Sequence, residues 1–203
     1  MLNITLPDGS VQEFDTVARG SEIAARIGEG LARAAVAIRV NGELWDLDRD
    51  IDIDAAVEIV TRDSDDGIEL LRHDAAHVLA EAVKELWPDT QVTIGPAIEN
   101  GFYYDFSREE PFTEADLETR ETRMQEIVDR DEVIKREVWQ RDKAAEVSRG
   151  IGEEYTAEII ESIPSDEDLT LYRQGDFIDL CRGPHLPSTG KLGKAFKLTH
   201  VSG

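Results

Sequence analysis

Ala35-Val36-Ala37-Ile38-Arg39-Val40-Asn41-Gly42 is the stretch that sets the character of the first part of the chain. Its apolar, branched run from Ala35 to Val40 predicts a strand. Asn41-Gly42 is a two-residue hairpin signal, because both positions of the favoured turn need positive φ. To its amino-terminal side, Asn3 to Leu6 reads as a short strand and Pro7-Asp8-Gly9-Ser10 as a turn. Val11 to Phe14 is then its hairpin partner. Ser21 is placed to cap a helix running through Ile23, Ala24 and Ile27. Val57 to Val60 closes the segment as a last strand.

Two strands, a helix and further strands over residues 1–62 suggest a ubiquitin-like β-grasp fold. No catalytic constellation falls within it. Arg62-Asp63-Ser64-Asp65-Asp66-Gly67 reads as a polar linker, so a second, larger domain is expected over 63–203. There the apolar positions Ile68, Leu71, Ala75, Val78, Leu79 and Val83 mark one face of a long helix, stopped by Pro88. Val92 to Ile98 and Gly101 to Phe106 read as strand and turn. Thr113 with Asp116 resembles a capping pair opening a charged helix through Leu117, Met124, Ile127 and Val128. Val133 to Trp139 is a strand, and Arg141 to Val147 and Tyr155 to Ile163 are helices. Leu169 to Tyr172, Phe177 to Leu180 and Phe196 to Val201 are strands. The fold class expected is α+β, in two domains.

The charge balance is lopsided, with 22 basic against 44 acidic residues and a net charge of −22. That argues against a general nucleic-acid binder, since phosphate affinity comes largely from Lys and Arg. The distribution qualifies the sum. From Arg182 onward there is no Asp or Glu, and Arg182, Lys191, Lys194 and Lys197 form a basic island beside Cys181. No run approaches the roughly 18 to 20 apolar residues needed to span a bilayer, and Met1-Leu2-Asn3-Ile4-Thr5 lacks a signal-peptide layout. One cysteine excludes an internal disulfide framework and fits a reducing cytoplasm. The ending Thr199-His200-Val201-Ser202-Gly203, straight after apolar residues, predicts a piece cut from a longer protein.

The chemistry-bearing residues gather in two short motifs. His73-x-x-x-His77 puts two imidazoles on one helix face, and Cys181-Arg182-Gly183-Pro184-His185 puts a thiol and a third imidazole on a Gly-Pro loop. Such a quartet suits either a tetrahedral metal ion or the positioning of a water in a hydrolytic pocket. Its spacing differs from structural zinc patterns built on Cys-x-x-Cys. Asp179 flanks the loop. Tyr103 and Tyr104 read equally as packing aromatics or as base-stacking platforms. Gly95-Pro96 reads first as a plain turn, with close approach to a substrate as the alternative. Lys191, Lys194 and Lys197 stand evenly between gripping phosphates and simple solvation, and His200 fits no local pattern.

Four stretches together resemble the amino-terminal part of bacterial threonyl-tRNA synthetases. They are Ile4-Thr5-Leu6-Pro7-Asp8-Gly9-Ser10, Arg72-His73-Asp74-Ala75-Ala76-His77, Ile94-Gly95-Pro96 through Asn100-Gly101-Phe102-Tyr103-Tyr104-Asp105, and Asp179-Leu180-Cys181-Arg182-Gly183-Pro184-His185. They occur in family order along essentially the whole chain. The resemblance implies a TGS domain, the β-grasp unit, followed by an editing domain of the threonyl/alanyl second-additional-domain type. Its implied activity is hydrolysis of serine wrongly esterified to threonine tRNA, with the serine-charged acceptor end as partner and no membrane.

Within that reading His73 is the main acid/base or water-orienting group, and His77 and His185 complete a polar wall. Cys181 is a shaping contact rather than a nucleophile. Asp179 holds the serine ammonium or orients a histidine, while Gly95, Pro96, Tyr104 and Arg182 contact the substrate. The threonyl resemblance implies no metal here. The same quartet is like the zinc-binding one of alanyl-tRNA editing domains, in which case His73, His77, Cys181 and His185 are the ligands. ATP and a further zinc belong to an aminoacylation core expected beyond Gly203. The full-length family implies a homodimer, and a monomer is the expectation for this piece. In Gly152-Glu153-Glu154-Tyr155-Thr156 the family often places a lysine where Thr156 stands. The alternatives are a zinc-dependent deacylase of the alanyl type and a non-catalytic tRNA-binding or regulatory module.

Overall fold

A computed structural model describes residues 1–164 and 168–201, so the last two residues of the ending, Ser202 and Gly203, lie outside the described residues. The chain divides into two compact units. The first comprises Met1–Leu71 with Gly183–Pro187, and the second Arg72–Arg182 with Ser188–Gly203.

In the first unit, strands β1 (Leu2–Thr5), β2 (Val11–Phe14), β3 (Ala35–Val40), β4 (Glu43–Asp46) and β5 (Ala55–Thr61) form one sheet in the order β2-β1-β5-β3-β4. Helices α1 (Gly20–Ile27) and α2 (Glu29–Ala34) lie between β2 and β3 in sequence. The β1–β5 pair is parallel and the other pairs are antiparallel. Asn41 and Gly42 have φ of 48° and 90°, the conformation the hairpin signal required. Ile4, Ile23, Ile38 and Ile51 are buried at 1% exposure or less, and Leu2, Phe14 and Val57 pack with them. Ser21 does not cap α1. Arg19 takes that position, and the Ser21 hydroxyl instead donates to Asp48. The N–H of His185 donates to Asp46 Oδ1 at 2.8 Å, tying the segment 183–187 to β4.

The polar stretch after Arg62 starts a helix rather than a linker. Ser64 Oγ accepts the Gly67 N–H at 3.1 Å, a capping interaction that satisfies an early helical donor. Helix α3 then runs Asp65–Leu86. Ile68, expected on the apolar face, is 39% exposed, whereas every residue from Asp74 to Val83 is buried. That length of α3 is enclosed on all sides, which is why it carries alanines at 75, 76, 80 and 82.

In the second unit, β6 (Gln91–Ile94) pairs with β9 (Asp105–Ser107), and β7 (Ala97–Ile98) with β8 (Gly101–Phe102). Helix α4 (Asp116–Arg130) begins where the Thr113 N–H and hydroxyl both donate to Asp116 Oδ2, at 2.8 and 3.0 Å. Strands β10 (Ile134–Gln140), β11 (Asp168–Gln174) and β12 (Phe177–Leu180) make an antiparallel sheet. Helices α5 (Arg141–Gly150) and α6 (Glu154–Ser162) pack on it through Ala144, Ala145 and Ile160 against Leu169 and Leu171. A 3-10 turn at Thr189–Leu192 docks on α4, with the Thr189 hydroxyl donating to the Ile127 carbonyl at 2.9 Å.

Phe196 to Val201 is not a strand. Its polar groups are taken by the acidic side chains of α4 and the turn before it. Glu121 accepts the Leu198 N–H at 3.0 Å and pairs with Lys197 at 2.9 Å, and Glu114 accepts the Val201 N–H at 3.4 Å. Side-chain acceptors replace a strand neighbour. The architecture is α+β, and no described helix is long and apolar enough to cross a membrane.

Candidate active site

Helix α3 sets the first two groups. His73 and His77 stand one turn apart, and their ring centroids are 4.7 Å apart at an interplanar angle of 61°. His77 is buried and His73 half-buried. Strand β12 supplies Asp179, and the ladder continues past its end, where the Cys181 N–H donates to the Thr170 carbonyl at 3.2 Å. The thiol is thereby held at a fixed height beside the sheet. His73 Nε2 lies 3.2 Å from Cys181 Sγ.

Asp179 is the junction of the polar contacts. Its Oδ2 accepts the Tyr104 hydroxyl at 2.9 Å and lies 3.3 Å from His77 Nδ1. With Nδ1–H directed at that carboxylate, His77 is left with Nε2 as its acceptor nitrogen. Burial, and then the negative charge of Asp179, holds the Tyr104 phenol well above its usual range. Tyr104 therefore stays a neutral phenol that donates its hydroxyl to Asp179. Its ring stacks on Phe106 at 5.0 Å and stands edge-on to His77 at 6.4 Å.

Gly95 faces the Tyr104 ring. A Cβ built there would overlap three ring carbons, so the glycine is what lets Tyr104 reach Asp179. The Pro96 carbonyl accepts the Tyr103 N–H at 3.5 Å, and Arg182 is exposed. His185 is buried. Within the second unit the ligand atoms of His73, His77 and Cys181 lie within 4.8 Å of one another, donors that could take part in holding a metal ion. Imidazoles and a thiolate suit zinc, and the Asp179 contact to His77 is the outer contact such a ligand usually has. Thr156 is half-buried on α6.

Two further buried polar residues near these elements had weaker sequence signals. Tyr172 is buried and lies directly opposite Asp179 in the β11–β12 register. Centring that hairpin on Gly175-Asp176 would have exposed the pairing. Glu81 follows His77 at the same four-residue spacing that links His77 to His73. It is buried and accepts from Gln174 Nε2 at 2.6 Å.

Two lysines of the basic island are engaged by α4. Lys194 pairs with Asp129 at 2.7 Å and Lys197 with Glu121, and exposed His200 lies 3.7 Å from Glu114.

Comparison with known families matches residues 2–61 to the TGS domain and residues 169–203 to the threonyl and alanyl tRNA synthetase second additional domain. Both domain types are thus matched within the one chain. Along its whole length the chain is similar to the amino-terminal region of threonine–tRNA ligases. It is 63% identical over 203 residues to the threonine–tRNA ligase of Parvibaculum lavamentivorans, covering 100% of this chain and 31% of that protein. It is 62% identical over 204 residues to that of Paramagnetospirillum magneticum, and 58% over 203 residues to that of Rhodospirillum rubrum. These matches cover 100% of this chain and 32% of each relative. The chain thus spans about a third of the length of the curated relatives it matches.

Proposed function

We propose that the chain is an aminoacyl-tRNA ester hydrolase, the proofreading part of a threonine–tRNA ligase, which removes serine from threonine tRNA. The observation that carries this reading is the convergence of His73, His77 and Cys181 with the Asp179–Tyr104 pair at one place. Serine and threonine differ by a methyl group, and a missing methyl changes binding by only about 1 to 3 kcal/mol. A synthetic site cannot reject serine by size beyond roughly 10 to 200-fold. A second pocket that admits the serine ester and crowds out the extra methyl supplies the rest.

The reaction is attack of water on an ester carbonyl. His73 takes the water's proton and returns one to the departing ribose hydroxyl. His77, its Nδ1 held by Asp179, offers Nε2 to orient the water. The Asp179 carboxylate, fixed by the Tyr104 hydroxyl, is the natural partner of the serine ammonium. His185 completes the polar wall, and Gly95, Pro96 and Arg182 border the substrate. Residues 1–62 are the TGS domain and 63–203 the editing domain in this assignment. The site works without metal. Were zinc held by His73, His77, Cys181 and His185, it would supply Lewis-acid activation of water.

His73→Ala should slow deacylation of seryl-tRNA by about 10² to 10⁴-fold, the range for a lost general acid/base. Wild-type hydrolysis by that variant would overturn the assignment. Metal content of the purified protein, with activity measured before and after chelation, decides between water alone and zinc. Stoichiometric zinc with chelator-sensitive activity would move the protein to the alanyl-type mechanism. Cys181→Ser should retain hydrolysis within about tenfold. A trapped thioester on Cys181 would instead make the 3.2 Å His73 contact a nucleophile–base pair.

A further inference from the structure

A second concavity lies in the same unit, of about 640 Å³, within the size range of small-ligand sites. It is lined by Tyr103, Phe106, Phe112, Arg120, Lys197 and His200 among others. It adjoins the candidate active site through a run of rings. Tyr104, whose hydroxyl serves Asp179, stacks on Phe106 at 5.0 Å, and Phe106 meets Phe112 at 5.7 Å. The Arg120 guanidinium lies over Phe112 at 4.5 Å.

Arg120 is, among the described residues, the one arginine or lysine that is buried. Acidic residues outnumber basic ones two to one in this chain, and Arg123, Arg130, Arg149, Arg173, Lys84 and Lys194 all have carboxylate partners. Arg120 is only 5% exposed. Its Nε donates to the Asp116 carbonyl at 3.3 Å. Among the described residues its buried Nη2 has no hydrogen-bond partner, and it makes no carboxylate ion pair. Asp116 and Glu114 act on its charge without forming a close ion pair, and a buried guanidinium nitrogen that borders a cavity without a hydrogen-bond partner leaves a donor for an anionic group. The opposite requirement, an exposed flat ring, is met by Tyr103, which is 43% exposed.

We propose that this cavity binds a single-stranded RNA nucleotide next to the one whose ester is cleaved, its phosphate on Arg120 and its base on Tyr103. The inference rests on the reading that the chain acts on the charged end of tRNA. An aromatic platform beside a guanidinium is the usual way a protein holds unpaired nucleotides without reading their sequence. It also reconciles RNA binding with the net charge of −22. A chain that repels polyanions in general can still capture one phosphate where a basic side chain offsets a local carboxylate, as Lys197 does for Glu121, with Asp105 on the same cavity wall as the repulsion to be overcome.

The test is equilibrium binding of a labelled single-stranded RNA with the sequence of the tRNA 3′ end, read by fluorescence anisotropy at several salt concentrations. Tyr103→Ala should weaken binding roughly tenfold through lost stacking. Arg120→Gln should reduce the slope of log affinity against log salt by about 0.7, the loss of one phosphate contact, and Arg120→Lys should restore it. Should Arg120→Gln fail to fold, Tyr103→Ala alone decides, because its side chain lies at the surface. Unchanged RNA affinity in Tyr103→Ala overturns the proposal, as does inorganic phosphate competing as strongly as the RNA at equal ionic strength. Binding that depends on Tyr103 without any deacylation would sink the hydrolytic reading and leave this one. Deacylation with a KM indifferent to Tyr103 would do the reverse.

Discussion

Asp179 carries more of the site than any single histidine, because the Tyr104 hydroxyl and His77 Nδ1 both converge on its Oδ2. Tyr104→Phe removes a donor from a half-buried carboxylate, a change typically costing about 1 to 3 kcal/mol. Deacylation should fall by roughly ten- to a hundredfold while the melting temperature drops only modestly. A rate within about twofold of wild type would show that the hydroxyl is idle. Gly95→Ala puts a methyl into the Tyr104 ring and should cost about 1 to 3 kcal/mol of stability, as overpacking does, measurable by denaturant titration. Among single residues the sequence was partly readable. His73, His77, Asp179 and Cys181 announced themselves as scarce, chemically distinctive residues at telling intervals. Gly95 was recognisable as special, but whether it faced a ligand or a ring depended on Tyr104 folding back over it, and no local pattern encodes that.

Helix α3 holds a second titratable centre beyond its histidines. Burial first, then the neighbouring carboxylates Glu132 and Glu85, push Glu81 up to about 8, against a lowering contribution from Gln174. Arg130 and Arg123, by contrast, hold Glu85 below the usual range. The unfolded chain loses the Glu81 proton near its ordinary value of 4.5, whereas the folded chain keeps it to about pH 8. Between those values the folded state binds the extra proton, so stability falls as pH rises. Melting temperature measured from about pH 5 to pH 8 should decline, and Glu81→Gln, which imitates the protonated acid, should flatten that decline and melt higher at the alkaline end. An unchanged pH profile in Glu81→Gln would place the proton elsewhere. Elements with strong local signals, such as the Asn41-Gly42 hairpin and the amphipathic α4, were legible from sequence. Phe196 to Val201 was not, since an apolar run looks alike whether a strand or the carboxylates of Glu121 and Glu114 take its N–H groups.

Across the molecule, the N–H of His185 is held by Asp46, a residue 139 positions earlier in the β-grasp sheet. Asp46→Ala should therefore slow deacylation by about fivefold, the worth of one hydrogen bond of about 1 kcal/mol, although Asp46 bears no chemistry of its own. Identical rates for the variant and the parent would show that the loop keeps its place unaided. The sequence offered no route to this pairing, because long-range backbone-to-side-chain bonds leave no periodicity. Helix α3 imposes a different kind of constraint. His73, His77, Glu81 and Glu85 recur every four residues within it, and each residue advances the helix by about 100°. One amino acid gained or lost between His73 and Glu85 would swing everything downstream by more than a quarter-turn, carrying either the imidazoles or the carboxylates off their partners. This segment can change its letters during descent, but not its count.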